Sequence, residues 1–519
     1  MSVAARCKSG LYQDSVRLMR LSEELAAFPG VSRATVAMAT DANRRLLAEA
    51  GMLVGEVAGA RPDDLVIAVD AADEATAAAA LARAEELLVE ASRPAPGTAA
   101  RRQARTLRAA VGELGGAEVA VVSVAGEYAA LEAVHALEAG LHVLLFSDNV
   151  DVTAERDLKE EARARGRLLM GPGAGTAILD GVGLGFANAV RRGPIGLVAG
   201  SGTGLQEVTV LVHRGGSGIS QAIGTGGRDL TEAVGGLTTR AGLEFLAADP
   251  ATRVMVLLSK PPQRAVADRV LALAREAGKP VVVAFLGGEP ATVGGGNLAF
   301  AATLEAAAAA ALRALGGDGA DPFAPAAGAL EAMAASTAAG LAPGQRFIRG
   351  LYSGGSLCDE ALLVLRDGQL GPVRSNAGGD ASLRLADPWW SEGHALVDLG
   401  EEEFTRGRPH PMIDPRLRLE RLADEAADPA TAVVLLDVVL GHGAHDDPAG
   451  ALAPGIAAAR AAAEAAGREL AVVAHVCGTD LDPQGLPRQE AALRDAGALV
   501  LPTNAQAARL AGLIVAGRG

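Results

Sequence analysis

The chain of 519 residues is too long for a single hydrophobic core and predicts about three or four domains. Hydrophobic residues make up 50% of the chain and aromatic residues only 3%, which favours glycine-rich α/β layers over an aromatic-rich β-sandwich. The formal net charge of −15 argues against nucleic acid or an anionic membrane surface as a partner.

The cysteines and the apolar runs indicate the compartment. Cys7, Cys358 and Cys477 include no CxxC pair, so we expect neither a disulfide framework nor a metal site. The first residues lack an apolar signal core, and no uninterrupted apolar run reaches membrane-spanning length. These features predict a cytoplasmic protein.

The first predicted domain covers residues 1–95 and has an α+β pattern. Strands alternate with helices; we expect strands over 3–11, 31–38 and 65–69 and helices over 14–28, 42–50 and 74–91. The segment holds no cluster of nucleophile, base and acid, so we interpret it as a structural or assembly domain. A Pro-containing linker at 92–98 follows.

The second predicted domain covers residues 96–190 and has a βα pattern typical of a parallel, Rossmann-like sheet. Its last strand runs into a glycine turn, a possible ligand loop formed by Gly171, Gly173, Gly175 and Thr176. The turn is a weak dinucleotide signal, because the order of strand, GxGxxG, helix and acidic residue is not met.

The third predicted domain, residues 191–320, opens on a strand-to-helix turn, here called the anchor turn. An apolar run ends in the residues Gly200, Ser201, Gly202, Thr203 and Gly204. Such a turn leaves free amides at a positive helix end, which is a site for phosphate or carboxylate. The alternative is a tight connection with an ordinary Ser or Thr helix cap.

A second glycine loop follows in the same domain, at 224–229, and is expected to open a helix. Gly226 and Gly227 make it another possible ligand loop, and Arg228 beside them could hold a carboxylate. The alternative for Arg228 is a surface position on the first helical turn.

The fourth predicted domain, residues 345–519, repeats the third. The six letters of Ala247–Thr252 recur at Ala426–Thr431, each time before an apolar strand, and the following elements keep the same order. The pattern predicts two flavodoxin-like domains. If they pair face to face, their helix N-termini meet at one shared site.

Two loops of the fourth domain could contribute to that site. One is a second candidate anion cradle, formed by Ser353, Gly354, Gly355 and Ser356. The other contains Gly441, His442 and Gly443, where His442 could bind a phosphoryl oxygen or act as acid, base or nucleophile. The alternative is an exposed polar loop in which His445 and Asp446 cap the next helix.

These motifs resemble the FdrA family, a rearranged relative of succinyl-CoA synthetase. The resemblance is carried by 171–207 and 224–229 and covers nearly the whole chain, with 118–315 similar to the synthetase α subunit and 345–519 to the ligase domain of its β subunit. It implies a phosphate site shared between the anchor turn and the loop at Gly441–Gly443. It also implies coenzyme A as a possible cofactor.

The chain lacks several features of the synthetase pattern that the nucleotide-driven reaction requires. No histidine occurs between His213 and His394, and the region of the phosphorylated histidine reads Gly-Gly-Gly-Asn at 294–297. Ser259-Lys260-Pro261 replaces the acidic partner expected after the third strand. The ATP-grasp domain and the glycine-rich first half of the CoA-binding domain have no counterpart.

The resemblance therefore implies a subunit of a carbamoyl-transferring enzyme, an oxamate carbamoyltransferase of allantoin or oxamate catabolism. It would interconvert oxalurate plus phosphate with oxamate plus carbamoyl phosphate, in an oligomer with partner subunits of the same operon. We expect the anchor amides to hold phosphate, Arg228 to hold the small carboxylate and His442 to manage the proton. The alternatives are an acyl-CoA synthetase that binds coenzyme A and a non-catalytic scaffold subunit.

Overall fold

The computed structural model describes residues 2–11, 13, 15–90, 104–316, 321–368, 370–406 and 408–516. The linker predicted at 92–98 lies outside these ranges. Within them the chain is a mixed α/β protein with four sheets, which confirms the predicted fold class. No helix in the described ranges has the length and apolar character needed to cross a membrane.

The N-terminal domain is a three-stranded antiparallel sheet with helices, as the α+β pattern predicts. Its elements are β1 (Ser2–Lys8), α1 (Ser15–Ala26), β2 (Val31–Met38), α2 (Asp41–Glu49), a 3-10 turn (Gly55–Gly59), β3 (Leu65–Ala71) and α3 (Glu74–Glu90). Strand β3 is central and buried along its whole length, because its alternate side chains enter a core on each face of the sheet.

The second domain is a three-stranded parallel sheet in the order β4-β5-β6, which confirms its βα pattern. Its elements are α4 (Leu107–Glu113), β4 (Val119–Val122), α5 (Gly126–Glu138), β5 (His142–Leu145), α6 (Val152–Ala164) and β6 (Leu169–Met170). Their apolar faces form a core of their own.

A hairpin links this domain to the next and was not expected from the sequence. Strands β7 (Thr176–Leu179) and β8 (Val182–Gly185) pair antiparallel, and β7 adds to the sheet of the third domain. The turn residues Asp180 and Gly181 have φ values of 49° and 83°. An Asp-Gly pair with positive φ at both positions is a strong hairpin signal, which the sequence contained.

The third domain is built on a parallel five-stranded core. Its elements are β9 (Arg192–Ala199), α7 (Gly202–Arg214), β10 (Ile219–Gly224), α8 (Leu237–Ala248), β11 (Val254–Ser259), α9 (Arg264–Glu276), β12 (Val281–Phe285), α10 (Pro290–Val293), β13 (Leu298–Phe300) and α11 (Leu304–Ala314). Helix α12 (Ala329–Gly340) follows, in the connection to the fourth domain. The strand order is β13-β12-β11-β9-β10-β7-β8.

The fourth domain repeats that arrangement. Its elements are β14 (Phe347–Tyr352), α13 (Gly355–Asp367), β15 (Val373–Ser375), a 3-10 turn (Ala381–Leu383), β16 (His394–Asp398), α14 (Glu402–Thr405), α15 (Arg416–Ala427), β17 (Thr431–Val439), α16 (Pro448–Ala465), β18 (Ala471–Cys477), α17 (Leu486–Asp495), β19 (Leu499–Leu501) and α18 (Asn504–Val515). The order β15-β16-β14-β17-β18-β19 contains the same flavodoxin-like series, which confirms the predicted pair of domains.

The two flavodoxin-like domains share one hydrophobic core. Buried residues of α7, α11, α13 and α18 belong to a single apolar cluster, for example Leu211, Leu304, Leu357 and Leu510. This packing brings the first helix of each domain, α7 and α13, into contact. The domains therefore pair as the repeat suggested.

Candidate functional site

The N-termini of α7 and α13 face each other at the seam between the two domains. The Ser201 hydroxyl contacts the Ser356 hydroxyl, and the amide of Ser356 donates to Thr203 Oγ1 at 3.2 Å. Glycine on both sides eases the approach, because a Cβ on Gly204 would lie 3.3 Å from Ser356 Cβ and one on Gly354 would lie 3.1 Å from Thr203 Cγ2, both tight contacts. We call this arrangement, Ser201–Gly204 opposite Gly354–Ser356, the clamp.

The clamp presents unused hydrogen-bond donors. Ser201 caps α7 by accepting from Gly204 N at 3.0 Å. In the part of the chain that the structure describes, the amides of Gly202, Thr203 and Gly355 have no acceptor. Free amides at two opposed, positive helix ends make the clamp a candidate site for an anion.

Asp437 fills the other half of the cradle predicted at 353–356. Its carboxylate accepts from the amides of Ser353 and Gly354, both at 2.8 Å, and from Ser353 Oγ at 3.0 Å. Arg418 donates to the same carboxylate at 3.0 Å, and both side chains are buried. The Asp437 carboxylate thus holds the turn after β14 in place. Of the predicted cradle, Gly355 and Ser356 remain to face α7.

A small cleft opens beside the clamp and contains most of the predicted ligand loops. It is lined by Gly173, Ala174, Gly175, Thr176, Ala199, Gly200, Ser201, Gly202, Gly224 and Gly226. A Cβ on Gly226 would lie 2.4 Å from the carbonyl oxygen of Pro172, and one on Gly171 would lie 2.2 Å from that of Leu145. Glycine at these positions therefore allows the loops to meet, whereas Gly227 faces open space.

Arg228 lies in an irregular loop, because the helix expected to open there begins only at Leu237. Its guanidinium is 2.9 Å from Glu155 Oε2 and donates to the carbonyl of Val150 at 2.7 Å. These contacts are with α6 and the loop before it. The structure thus places Arg228 at the boundary between the second and third domains, away from the contacts that form the clamp.

A buried ionic group beside Arg228 was missed in the sequence. Lys159 Nζ lies 2.8 Å from both Glu155 Oε1 and Asp229 Oδ1. Asp229 also accepts from the amides of Thr238 and Thr239, at 3.0 and 2.8 Å, and so caps α8. This group fastens α6 to the third domain, and only the fold brings residues so distant in sequence together.

His442 lies on the surface. Its amide donates to the carbonyl of Ala187 at 2.8 Å, and its exposed ring packs over Gly183. Gly441 and Gly443 have φ values of 107° and 83° and are covered by the segment 185–188. These glycines thus allow the segment to pass close to the loop.

His445 lies where the alternative interpretation of this loop placed it, at the N-terminus of the next helix, α16, and has part of a capping role there. Its Nδ1 accepts from the amide of Asp447 at 2.9 Å, next to the start of α16. Its Nε2 lies 3.2 Å from Glu23 Oε1 of the N-terminal domain. The hydrogen bond that His445 donates to the Glu23 carboxylate raises the pKa of His445.

The seam near the clamp also carries titratable side chains that sequence reasoning passed over. Asp398 ends β16, and its Oδ1 accepts from Gly400 N at 2.8 Å. Lys260 Nζ lies 2.9 Å from Asp359 Oδ2 on the second turn of α13. An acidic residue at the end of an apolar strand was the available signal for Asp398.

Together, the fold and the seam define a CoA-ligase-like α/β protein. Residues 351–514 match the family model described as CoA-ligase, and residues 1–105 match the model described as AllF, heavy metal-associated domain. The chain is 42% identical over 511 residues to the uncharacterized protein YahF of Escherichia coli K12, covering 98% of each chain. It belongs to this family, the FdrA-like relatives of succinyl-CoA synthetase, as the sequence resemblance predicted.

Two further similarities concern parts of the chain or the fold. Over 164 residues the chain is 32% identical to the α subunit of the ADP-forming succinate–CoA ligase of Aquifex aeolicus, spanning 30% of this chain and 51% of that protein. The dinucleotide-forming acetyl-coenzyme A synthetase 1 of Ca. Korarchaeum cryptofilum, in its apo form, is 16% identical, with a TM-score of 0.28, covering 77% of this chain and 82% of that one.

The name of the N-terminal family model raises the question of a heavy metal, and the residues do not fit one. Across residues 1–105 the sequence has a single cysteine, Cys7, and no histidine. Burial raises the pKa of the Cys7 thiol, and the nearby carboxylate of Asp64 adds to this, which disfavours the thiolate that binds soft metals. Among the described residues, no group of three His, Cys, Asp or Glu side chains could hold a metal ion.

Proposed function

We propose that this chain binds phosphate or carbamoyl phosphate in the clamp and acts as a subunit of an oxamate carbamoyltransferase. The reaction would interconvert oxalurate plus phosphate with oxamate plus carbamoyl phosphate. The observation that carries the proposal is the contact of Ser201 with Ser356 between two opposed helix N-termini. Such a pair of helix ends can hold the phosphoryl group from both sides.

The chemistry needs little beyond positioning and preorganised donors. The amides of Gly202, Thr203 and Gly355 would bind the phosphate oxygens, and the hydroxyls of Ser201 and Ser356 would exchange their mutual contact for the anion. Fixed dipoles that face the developing charge stabilise the transition state without reorganising. The site would thereby hold the phosphate nucleophile next to the carbonyl carbon of oxalurate.

Other parts of the proposal come from the sequence. Arg228 as ligand of the small carboxylate and His442 as proton-handling residue would both require a loop rearrangement, because Arg228 is paired with Glu155 and His442 lies on the surface. The partner subunits are expected to come from the same operon.

The test is a phosphorolysis assay on the purified chain, alone and with the proteins encoded by neighbouring genes. Oxalurate and phosphate are supplied, and carbamoyl phosphate is measured. We expect product in at least one combination and a strong loss with Ser201→Ala plus Thr203→Ala. Thr106→Ala, which removes the cap of the distant helix α4, is the matched control. The proposal fails if no combination forms carbamoyl phosphate.

An acyl-CoA synthetase that binds coenzyme A is the second candidate, supported by the cleft at 173–176 next to Gly202. Main-chain atoms of glycine line much of that cleft, which would let a phosphate or the pantetheine arm approach closely. Calorimetry with coenzyme A decides between the two. Binding that is lost when Gly175 is replaced by Val favours the ligase, and the absence of heat counts against it.

The third candidate is a non-catalytic scaffold in which the clamp is a packing contact. Unchanged assembly and unchanged activity of the complex after replacement of Ser201 and Thr203 would support it. Loss of phosphate binding in the same variants, with assembly intact, would exclude it.

A further inference from the structure

Asp398 reaches the clamp from the neighbouring strand. It is the last residue of β16, at the carboxyl end of the sheet, and the residue is 4% exposed. While Oδ1 accepts from Gly400 N, Oδ2 would lie 2.6 Å from a Cβ on Gly355, the first residue of α13. Glycine at 355 therefore lets this carboxyl group lie against the helix end that forms one side of the clamp.

The surroundings of Asp398 favour its neutral form. Burial raises the pKa of Asp398 to about 7 against the effect of the Gly400 amide, and the carboxylates of Glu401, Asp437 and Asp359 raise it further. Asp437 differs, since it accepts three hydrogen bonds and pairs with an arginine. Two carboxyl groups at one helix end thus have different environments, which is the usual arrangement when one holds structure and the other exchanges a proton.

Two further titratable groups face this position. The ammonium of Lys260 lies across the seam. Although desolvation disfavours its charged form, the carboxylate of Asp359, together with that of Glu401, raises the pKa of Lys260, so it stays charged. The ring of His410 lies beside Gly400, where a Cβ would be 2.7 Å from Nε2. Burial and then Arg418 lower the pKa of His410 to about 4, so it is neutral at pH 7.

We propose that Asp398 is the proton-transfer residue of the clamp, a catalytic acid and base for the nitrogen atom that gains or loses the carbamoyl group. This role rests on the proposed function. In phosphorolysis, a phosphate oxygen forms a bond to the ureido carbonyl carbon of oxalurate, and the bond from that carbon to the oxamate nitrogen breaks. The Asp398 carboxyl group gives its proton to the departing nitrogen, which becomes the amide of oxamate. The proton released by hydrogen phosphate then restores the carboxyl group.

The test compares the wild type with Asp398→Asn in the phosphorolysis assay, in the complex that shows activity. Asn keeps an acceptor for Gly400 N but carries no transferable proton. We expect the rate to fall about 100-fold or more while phosphate binding stays within about threefold. The control is Asp367→Asn, an exposed carboxylate at the opposite end of α13, which should keep the wild-type rate.

The pH profile separates a catalytic from a structural role. The wild type should lose phosphorolysis activity as pH rises through about 7, where Asp398 ionises, and Asp398→Asn should lack this limb. An active wild type with an unchanged rate or an unchanged limb in Asp398→Asn overturns the role of Asp398 and leaves the proposed function standing. If no combination containing the wild type forms carbamoyl phosphate, both proposals fall together.

Discussion

The hydroxyl groups of Ser201 and Ser356 meet where two homologous helices, α7 and α13, face each other across a domain seam. Each hydroxyl follows the first strand of its own flavodoxin-like domain, so the contact is a consequence of the internal repeat. Because both helix ends are positive, their approach is favourable chiefly if an anion lies between them. The internal repeat therefore supplies the two helix ends on which the proposed anion site depends.

Ser201→Ala should weaken phosphate binding about tenfold, because one donor to the anion is lost. The free energy of unfolding should also fall by about 1 kcal/mol, since Ser201 caps α7 by accepting from Gly204 N. Calorimetry with inorganic phosphate and urea unfolding measure the two effects. Thr106→Ala should show only the second, and equal phosphate affinities in both variants would contradict the prediction.

Gly204→Ala should destabilise the seam. A Cβ there would lie 2.8 Å from Leu258 Cδ2 and 2.9 Å from Ser201 Oγ, so one of these neighbours or the helix must move. We expect a loss of about 1–3 kcal/mol in the free energy of unfolding and weaker phosphate binding. Gly227→Ala is the matched control, because a Cβ there meets nothing within 4 Å. Similar urea midpoints for the two variants would refute the steric argument.

The strand–turn–helix order at 200–204 could be predicted because it depends on neighbouring residues only. The internal repeat made Ser356 predictable as the counterpart of Ser201. Their contact was not predictable, because it depends on the packing of α7 on α13, which no local sequence pattern indicates. Arg228 shows the opposite case: the glycines beside it suggested a ligand role, whereas Glu155, far away in the sequence, pairs with it in the fold.

The histidines and carboxyl groups of the site show a second reason why the sequence could not predict the whole site. His442 drew attention because histidine is rare in this chain, yet burial and neighbours decide what a titratable group can do, and the fold sets both. Asp398 and Asp437 are two acidic residues on buried strands, visible in the sequence. Only the structure shows that Asp437 holds the turn after β14 and that Asp398 lies against the clamp.

Lys159→Met should be strongly destabilising. It would leave the carboxylates of Glu155 and Asp229 buried without their shared cation, and loss of one partner of a buried ion pair costs about 3–5 kcal/mol. Adding Asp229→Asn should recover part of the loss, because Lys159 is the cation paired with Asp229, whereas Glu155 keeps Arg228. Urea unfolding of the single and double variants measures this. A single variant as stable as the wild type would show that the group does not fasten α6 to the third domain.

Glu360 should make the protein less stable as pH rises, in contrast to an ordinary paired carboxylate. Burial raises its pKa from 4.5 to about 7, and the carboxylate of Glu207 adds to this. Below pH 4.5 the group is protonated in both the folded and the unfolded chain, so it carries no ionisation penalty. Between 4.5 and about 7 only the unfolded chain ionises, so the stability contributed by Glu360 is progressively lost and then stays constant at higher pH.

Glu360→Gln removes this titration, so its stability relative to the wild type should increase by up to about 3 kcal/mol between pH 4.5 and 8. Its absolute stability at low pH can still fall, because Glu360 accepts from the amide of Leu304 at 2.6 Å and from Asn504 at 2.8 Å. The measurement is therefore the pH dependence of the difference in the free energy of unfolding. Glu331→Gln, on the exposed face of α12, should show a flat difference. A flat difference for Glu360→Gln as well would mean that the buried carboxyl group is ionised in the folded protein, and the seam between the two domains would then have to hold its charge.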